Sequence, residues 1–174
     1  MRANRRRLLG AILVSCIATH GATAANLRWA NDGDFAAVDP MTRQETTQLS
    51  FLSNIYETLA RRGRDMALEP ALATRWEQTA PTVWRFHLRA GVKWQDGSPF
   101  TADDVVFSLQ RIQSPTSAMR APLAPVKSVT KIDDLTVDFE TQHPDPIFPQ
   151  EQVNLMIMSK AWCMKNNSAA PQNY

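Results

Sequence analysis

WRFHLRAGVKWQDGSPFTADDVVFSLQRI, residues 84–112, is the stretch that best predicts how this chain folds. It opens with alternating apolar and polar side chains over residues 84–89, the period-2 pattern of a half-buried strand. A short extended piece at 92–94 follows and ends at the turn-forming dipeptide Asp96-Gly97. The stretch therefore predicts a strand, a second extended piece and a turn before any helix begins.

A helix is predicted directly after Thr101. Asp104 follows Thr101 by three residues, and this pair is a capping box, in which each side chain accepts a hydrogen bond from the other residue's backbone amide. Val105, Leu109 and Ile112 then recur at helical spacing, which gives the predicted helix one apolar face.

Another helix is predicted in TTQLSFLSNIYETLARRG, residues 46–63. Its apolar side chains fall at positions i, i+3, i+4 and i+7, and cations and a glycine close the pattern, as is common at helix ends. The residues of these two patterns are Leu52, Ile55, Tyr56 and Leu59, then Arg61, Arg62 and Gly63. Tyr56 is either a core side chain or a ligand-facing aromatic, and the core role is favoured.

Two further sets of strands are predicted. Asn26–Ala30 is a short strand candidate near the start of the chain. Residues 129–132 and 135–139 predict a hairpin around the Asp133-Asp134 turn, because the second segment alternates apolar and polar side chains.

Charge and metal-ligating residues exclude several classes of function. The net charge of +2 comes from the four arginines of the first 24 residues, and from Ala25 onward 15 cations face 17 acids, a balance of −2. No basic face for nucleic acid is therefore expected. The cysteines, Cys16 and Cys163, and the three histidines are scattered without metal-site spacing, so neither a metal nor a cofactor is expected.

Residues 1–24 are typical of an export signal, with an arginine cluster, an apolar run and an A-x-A cleavage site at Ala22–Ala24. The product is expected in the periplasm. Two alternatives stay open: Leu13–Cys16 fits a lipobox, which would place a lipid anchor on Cys16, and the arginines weakly resemble a twin-arginine motif.

Three carboxylates near two tryptophans suggest an alternative function, an exported carbohydrate-active hydrolase or sugar-binding protein. The residues concerned are Asp96, Asp103, Asp104, Trp84 and Trp94. A local structural role is favoured for each carboxylate: one precedes a turn glycine, one is the capping partner, and one sits where the helix dipole favours an anion.

The motif W-x-F-x-L-R-x-G-V-x-W-x-D-G-x-P-F-T-A-D-D-V resembles the signature of the family 5 extracellular solute-binding proteins, the peptide-binding receptors of ABC importers. Residues 68–78 and 133–139 resemble the same family, so the resemblance covers nearly all of the chain after the first 24 residues. It implies a mixed α/β (α+β) fold of the type II periplasmic-binding-protein kind. Because family 5 receptors are much longer than 174 residues, the chain is expected to be a fragment holding only the start of that fold.

The resemblance also implies a domain layout. After the signal peptide at 1–24, residues 25–59 would begin the ligand-binding lobe and residues 60–160 would form a small companion subdomain of that first lobe. Residues 161–174 would then return toward the first lobe.

In function, the resemblance implies a non-catalytic, substrate-binding component of an ABC importer. It would bind a peptide or other small solute and deliver it to separate permease and ATPase subunits. Gly33, Asp34 and Phe35, in the loop after the first strand, are the expected cleft-lining residues. The motif at 84–112 is expected to be scaffold that touches no ligand.

Overall fold

The computed structural model describes residues 37–171, and an antiparallel sheet of four strands organises them. The sheet has the strand order β3-β4-β6-β5, and a separate two-stranded ribbon pairs β1 with β2. The helices and strands are α1 (Thr46–Leu52), β1 (Ala60–Arg62), β2 (Leu68–Pro70), β3 (Ala73–Ala80), β4 (Val83–Leu88), α2 (Ala102–Gln113), β5 (Val126–Asp133), β6 (Thr136–Thr141), α3 (Phe148–Glu151) and α4 (Lys160–Lys165), with 3-10 turns at Ala121–Leu123 and Gln152–Asn154.

The alternating pattern of the motif forms β4 as predicted. Phe86 and Leu88 are buried, while Arg85 and His87 on the other face are only partly covered. In the sheet, Phe86 pairs with Val137 of β6, and β6 pairs in turn with β5. The predicted hairpin at 129–139 is therefore confirmed, with longer strands than the sequence pattern suggested.

The capped helix is also confirmed. Helix α2 begins after Thr101, whose backbone N–H donates to Asp104 Oδ2 at 2.9 Å. Val105, Leu109 and Ile112 are each at most 1% exposed and form the helix face that packs against the sheet. The fold class is the mixed α/β arrangement that the sequence predicts.

Three phenylalanines form the centre of the core. The rings of Phe86 and Phe139 lie 5.4 Å apart in an edge-on arrangement, and Phe148 lies 5.4 Å from Phe139. All three side chains are fully buried. Such aromatic pairs add about 0.5–1.5 kcal/mol beyond the burial of their area.

The predicted helix at 46–63 is wrong in its second half. Helix α1 ends at Leu52, and residues 60–62 form a strand paired with 68–70. The spacing misled because Leu59 is fully buried by the tertiary fold, whereas Ile55, on the same predicted helix face, is 45% exposed. Arg61 and Arg62, which were expected at the end of a helix, belong to a hairpin instead, where Arg61 pairs with Glu69 across the ribbon.

The segment between β4 and α2 follows the prediction closely. Lys93 and Pro99 form an antiparallel bridge around the Asp96-Gly97 turn, and the backbone N–H of Trp94 donates to the Ser98 carbonyl at 2.9 Å. Gly97 has a φ of +85°, a conformation that glycine adopts at little steric cost. This segment carries Trp94 out of the sheet and holds it in a fixed place.

Several predictions concern residues outside 37–171. The signal peptide, the lipobox at Cys16 and the strand candidate Asn26–Ala30 all lie outside the described residues. Among the helices of the described part, none has both the length and the apolar character needed to cross a bilayer.

Candidate functional site

The predicted cleft-lining residues lie outside the described part of the chain. Gly33, Asp34 and Phe35 precede residue 37, so their role in ligand binding stays a prediction. The site described below is a different one, which the sequence pattern did not single out.

A half-open cleft of about 510 Å³ is lined by three separate chain segments. Residues 55–56 follow α1, residues 94–96 belong to the turn before α2, and residues 158–159 and 162–163 flank and include the start of α4. We call this feature the aromatic cleft, because Tyr56, Trp94 and Trp162 contribute to its wall. Its lining is predominantly apolar, with few polar groups, which is the usual composition of small-molecule sites.

Trp94 is the most firmly held side chain of the aromatic cleft. Its indole N–H donates to Asp104 Oδ2 at 3.3 Å, the oxygen that also accepts from the backbone of Thr101. Its ring packs edge-on against Phe100, with ring centres 6.1 Å apart. The capping box of α2 therefore also orients an aromatic wall of the cleft.

Asp96 places a negative charge at the cleft. Its Oδ1 accepts from the backbone N–H of Ser98 at 2.9 Å and from the Ser98 hydroxyl at 2.6 Å. These hydrogen bonds, that of the side chain first, hold the pKa of Asp96 below its ordinary value. The carboxylate is therefore ionised at neutral pH.

Two other titratable groups of the cleft stay neutral. Burial raises the pKa of the Tyr56 hydroxyl, and the nearby Asp39 carboxylate adds to the rise. Burial likewise raises the pKa of the Cys163 thiol. Tyr56 is half-buried. One part of its side chain packs against the core, as predicted, and it also lines the cleft, as the ligand-facing alternative requires.

Helix α4 supplies the most exposed part of the wall. Ser159 caps this helix by accepting from the Trp162 backbone N–H at 3.2 Å. The Trp162 side chain is 50% exposed, and Ile55 on the facing segment is 45% exposed. Trp162 and Ile55 therefore form the most solvent-accessible apolar part of the cleft wall.

The carboxylates of the hydrolase alternative have the local roles predicted for them. Asp103 pairs with Lys131 at 2.6 Å, and that hydrogen bond lowers the pKa of Asp103. Asp104 accepts from the backbone of Thr101 and also from the backbone N–H of Lys160 at 2.8 Å. Neither residue lines the cleft, so Asp96 contributes its only carboxylate among the described residues.

The tryptophan pair of that alternative does not come together in one site. Trp84 lies on β4, where its indole N–H donates to the Asp145 carbonyl at 2.9 Å, and it is not part of the aromatic cleft. Trp94 shares the cleft with Trp162 instead. The alternative in which Trp84 and Trp94 share one sugar site is therefore not supported, since Trp84 does not line the cleft.

Metal-ligating residues do not cluster in residues 37–171: no group of three His, Cys, Asp or Glu side chains there could hold a metal ion. His87 makes a 3.0 Å contact with Glu77 on the exposed face of the sheet. A second recess, of about 530 Å³, lies at the β1-β2 hairpin and is formed by residues 61–65 and Glu69. Arg61 and Glu69 form an ion pair there, so the charge of Arg61 is matched by that of Glu69.

Sequence reasoning missed Ile55, Met158 and Trp162 as cleft residues. The sequence pattern places Ile55 on a helix face and gives no prediction for Met158 or Trp162. Ser159 three residues before Trp162 is a possible helix-cap signal, but the sequence alone cannot bring Trp162 to Trp94.

Comparison with known proteins matches most of the described chain to one family model. The family model described as "Bacterial extracellular solute-binding proteins, family 5 Middle" matches residues 67–173. The periplasmic oligopeptide-binding protein OppA of Salmonella typhimurium is 30% identical over 137 residues, which are 71% of this chain and 25% of that protein. The periplasmic murein peptide-binding protein MppA of Escherichia coli K12 is 31% identical over 57% of this chain and 19% of its own length. The chain thus spans about a quarter or less of these relatives.

Solved structures show the same fold with different bound molecules. The periplasmic binding protein DppA of Helicobacter pylori, in complex with the peptide STSA, superposes with a TM-score of 0.67 at 28% identity, over 78% of this chain and 32% of that one. The binding protein MoaA of Agrobacterium ("A.tumefacien R10"), in complex with mannopinic acid, gives a TM-score of 0.69 at 32% identity, over 76% and 29% of the two chains.

Proposed function

The chain belongs to the bacterial extracellular solute-binding proteins of family 5, and from that premise we propose that it is part of the peptide-binding component of an ABC importer. In this role the protein binds peptides in the periplasm and delivers them to a membrane permease driven by an ATPase, both on separate chains. A solute-binding role itself follows from the family. The permease, the ATPase and the preference for peptides are the proposal.

The observation that carries the proposal is the match of residues 67–173 to the family model, together with the peptide named as ligand or cargo in several relatives. MoaA in complex with mannopinic acid shows that a chain of similar fold can hold another kind of solute. Peptide specificity therefore needs a direct test.

The domain layout is part of the proposal. Residues 25–59 begin the ligand-binding lobe, residues 60–160 form its companion subdomain, and residues 161–174 lead back toward the first lobe. Of the residues lining the aromatic cleft, 55–56 fall in the first of these parts, 94–96 and 158–159 in the second, and 162–163 in the third. Gly33, Asp34 and Phe35 would then contact the peptide from the first of them.

The test is a thermal-unfolding experiment on the product of the complete reading frame. A ligand that binds only the folded protein stabilises it by about 2.7 kcal/mol at one hundred times its dissociation constant. We expect di- to pentapeptides to raise the melting temperature, and nickel–histidine, mannopinic acid and disaccharides to leave it unchanged. A rise with one of the latter and none with peptides would keep the solute-binding role and overturn the peptide assignment.

The hydrolase alternative has a separate test. Replacing Asp96 and Asp103 by Asn should leave any glycoside hydrolysis at background in both the parent and the variant. Hydrolysis by the parent that disappears in the variant would contradict the proposed role.

A further inference from the structure

We infer that the aromatic cleft binds an organic cation with an apolar body, such as an aryl- or alkylammonium group. This site goes beyond the proposed function, because the predicted peptide contacts lie in another part of the chain. The cleft is formed by residues 55–56, 94–96, 158–159 and 162–163.

The size and wall of the cleft fit a small molecule. Its volume of about 510 Å³ lies within the range of ordinary ligand sites. Trp94 is already held by Asp104 and Phe100, so no rearrangement is needed to present it. Trp162 and Ile55, in contrast, remain about half exposed, and an apolar occupant would cover them.

The charge of the cleft selects the sign of the occupant. Asp96 is the only charged residue among those that line it in the described part of the chain, and no lysine or arginine is among them. Both hydrogen bonds from Ser98 end on Oδ1 of Asp96, so Oδ2 keeps its capacity to accept from an ammonium group. Trp94 and Trp162 also line the cleft, and aromatic rings attract a cation through their quadrupoles.

One protein cation acts on this carboxylate from outside the wall. Lys165, at the end of α4, lowers the pKa of Asp96 through space but does not hydrogen-bond to it. It therefore competes weakly with a bound cation. Removing its charge should strengthen cation binding.

Three probes with the same ring and different head groups test the inference: 2-phenylethylammonium, 2-phenylethanol and 3-phenylpropanoate. The 174-residue chain is titrated with each probe, with intrinsic tryptophan fluorescence and ligand-observed NMR as readouts. For probes of this size a dissociation constant on the order of millimolar is expected. The ammonium should bind at least five-fold more tightly than the alcohol, and the carboxylate should bind most weakly.

Variants separate the charge from the aromatic wall. Asp96→Asn should bring the ammonium and the alcohol to within two-fold of each other, and Trp162→Ala should weaken both. Asp133→Asn is the matched control, since Asp133 is another exposed turn carboxylate that accepts from a backbone N–H two residues on, at 2.8 Å, away from the cleft. Asp133→Asn should leave the affinities for all three probes unchanged. Lys165→Gln should raise the affinity for 2-phenylethylammonium alone.

Two results would overturn the inference. Equal affinity for the three probes would show an apolar groove with no preference for charge, and an absence of binding would show that the cleft is no small-molecule site. Neither result bears on peptide binding by the product of the complete reading frame, so this inference and the proposed function can fail separately.

Discussion

Arg111 donates hydrogen bonds to both carboxylate oxygens of Asp39, a residue 72 positions earlier in the chain, with an Nη1–Oδ1 distance of 2.8 Å. The same guanidinium donates through Nε to the carbonyl of Ser168 at 3.0 Å. Its side chain is only 1% exposed. Helix α2 therefore holds both the first and the last parts of the described segment through one side chain.

Replacing Arg111 by Ala should destabilise the protein strongly. Asp39, 18% exposed, would lose its cation, and breaking such a buried pair costs about 3–5 kcal/mol. The measurement is the free energy of unfolding in urea. Arg75→Ala is the matched control, because the Arg75–Glu77 pair is exposed and should contribute less than about 1 kcal/mol. Equal losses in the two variants would contradict this role of Arg111.

Asp104 and Asp103 are adjacent carboxylates with very different expected effects. Asp104→Ala removes the acceptor for the N–H groups of Thr101, Lys160 and Trp94, so a loss of about 2 kcal/mol or more is expected. Asp103→Ala removes only partly exposed pairs with lysines and should cost less than about 1 kcal/mol. Urea unfolding measures both, and a larger loss for Asp103→Ala would contradict the assignment.

Phe86 contacts both other core phenylalanines, so Phe86→Ala should leave a cavity that the sheet cannot close. The expected cost is about 3–5 kcal/mol in the free energy of unfolding. Ile147→Ala, at a side chain that is 55% exposed, serves as the control and should stay within about 0.5 kcal/mol of the parent. A tolerated Phe86→Ala would mean that the three rings do not form the core.

Glu151 should make stability fall as the pH rises. Burial raises its pKa, Asp145 adds to the rise, and its Oε2 is buried without a hydrogen-bond partner among the described residues. The folded protein therefore holds this proton more tightly than the unfolded chain does. The free energy of unfolding consequently falls as the pH rises from the ordinary carboxyl pKa to the raised pKa of Glu151. Glu151→Gln should be more stable than the parent at neutral pH, and the difference should vanish at about pH 3.

Glu140 provides a control of opposite sign. Hydrogen bonding to Lys127 lowers the pKa of Glu140, so its contribution is present at neutral pH and is lost as the pH falls through the lowered pKa. Glu140→Gln should therefore be slightly less stable than the parent at neutral pH and equal to it in acid. The measurement is thermal unfolding across this pH range: a gain in stability for Glu140→Gln at neutral pH would contradict its assignment, and a loss for Glu151→Gln would contradict the other.

The local patterns of the motif were sufficient to predict one strand of the sheet and the capped helix. Strand β4 and helix α2 follow from alternation and from the Thr101–Asp104 box, because each depends on contacts within a few residues. The helix predicted at 46–63 failed where a tertiary pairing of 60–62 with 68–70 outweighed helical spacing. No local pattern could show that Leu59 and Ile55 have opposite environments.

The aromatic cleft could not be predicted for a similar reason. Its wall combines Ile55, Trp94 and Trp162, which come from three segments far apart in sequence. The sequence singles out Trp94 and Asp96 as candidate residues of a sugar site, but nothing in it connects them with Trp162 on α4. That the motif touches no ligand stays a prediction: Phe86 lies in the core, whereas Trp94 also lines the cleft.

The most direct test of the central claim is isothermal titration calorimetry of the product of the complete reading frame with trialanine and tetra-alanine. The proposed role predicts saturable binding at one site with a micromolar or tighter dissociation constant for at least one of these peptides. An absence of heat with both peptides, while a non-peptide solute such as nickel–histidine or mannopinic acid binds, would contradict the claim that this receptor carries peptides.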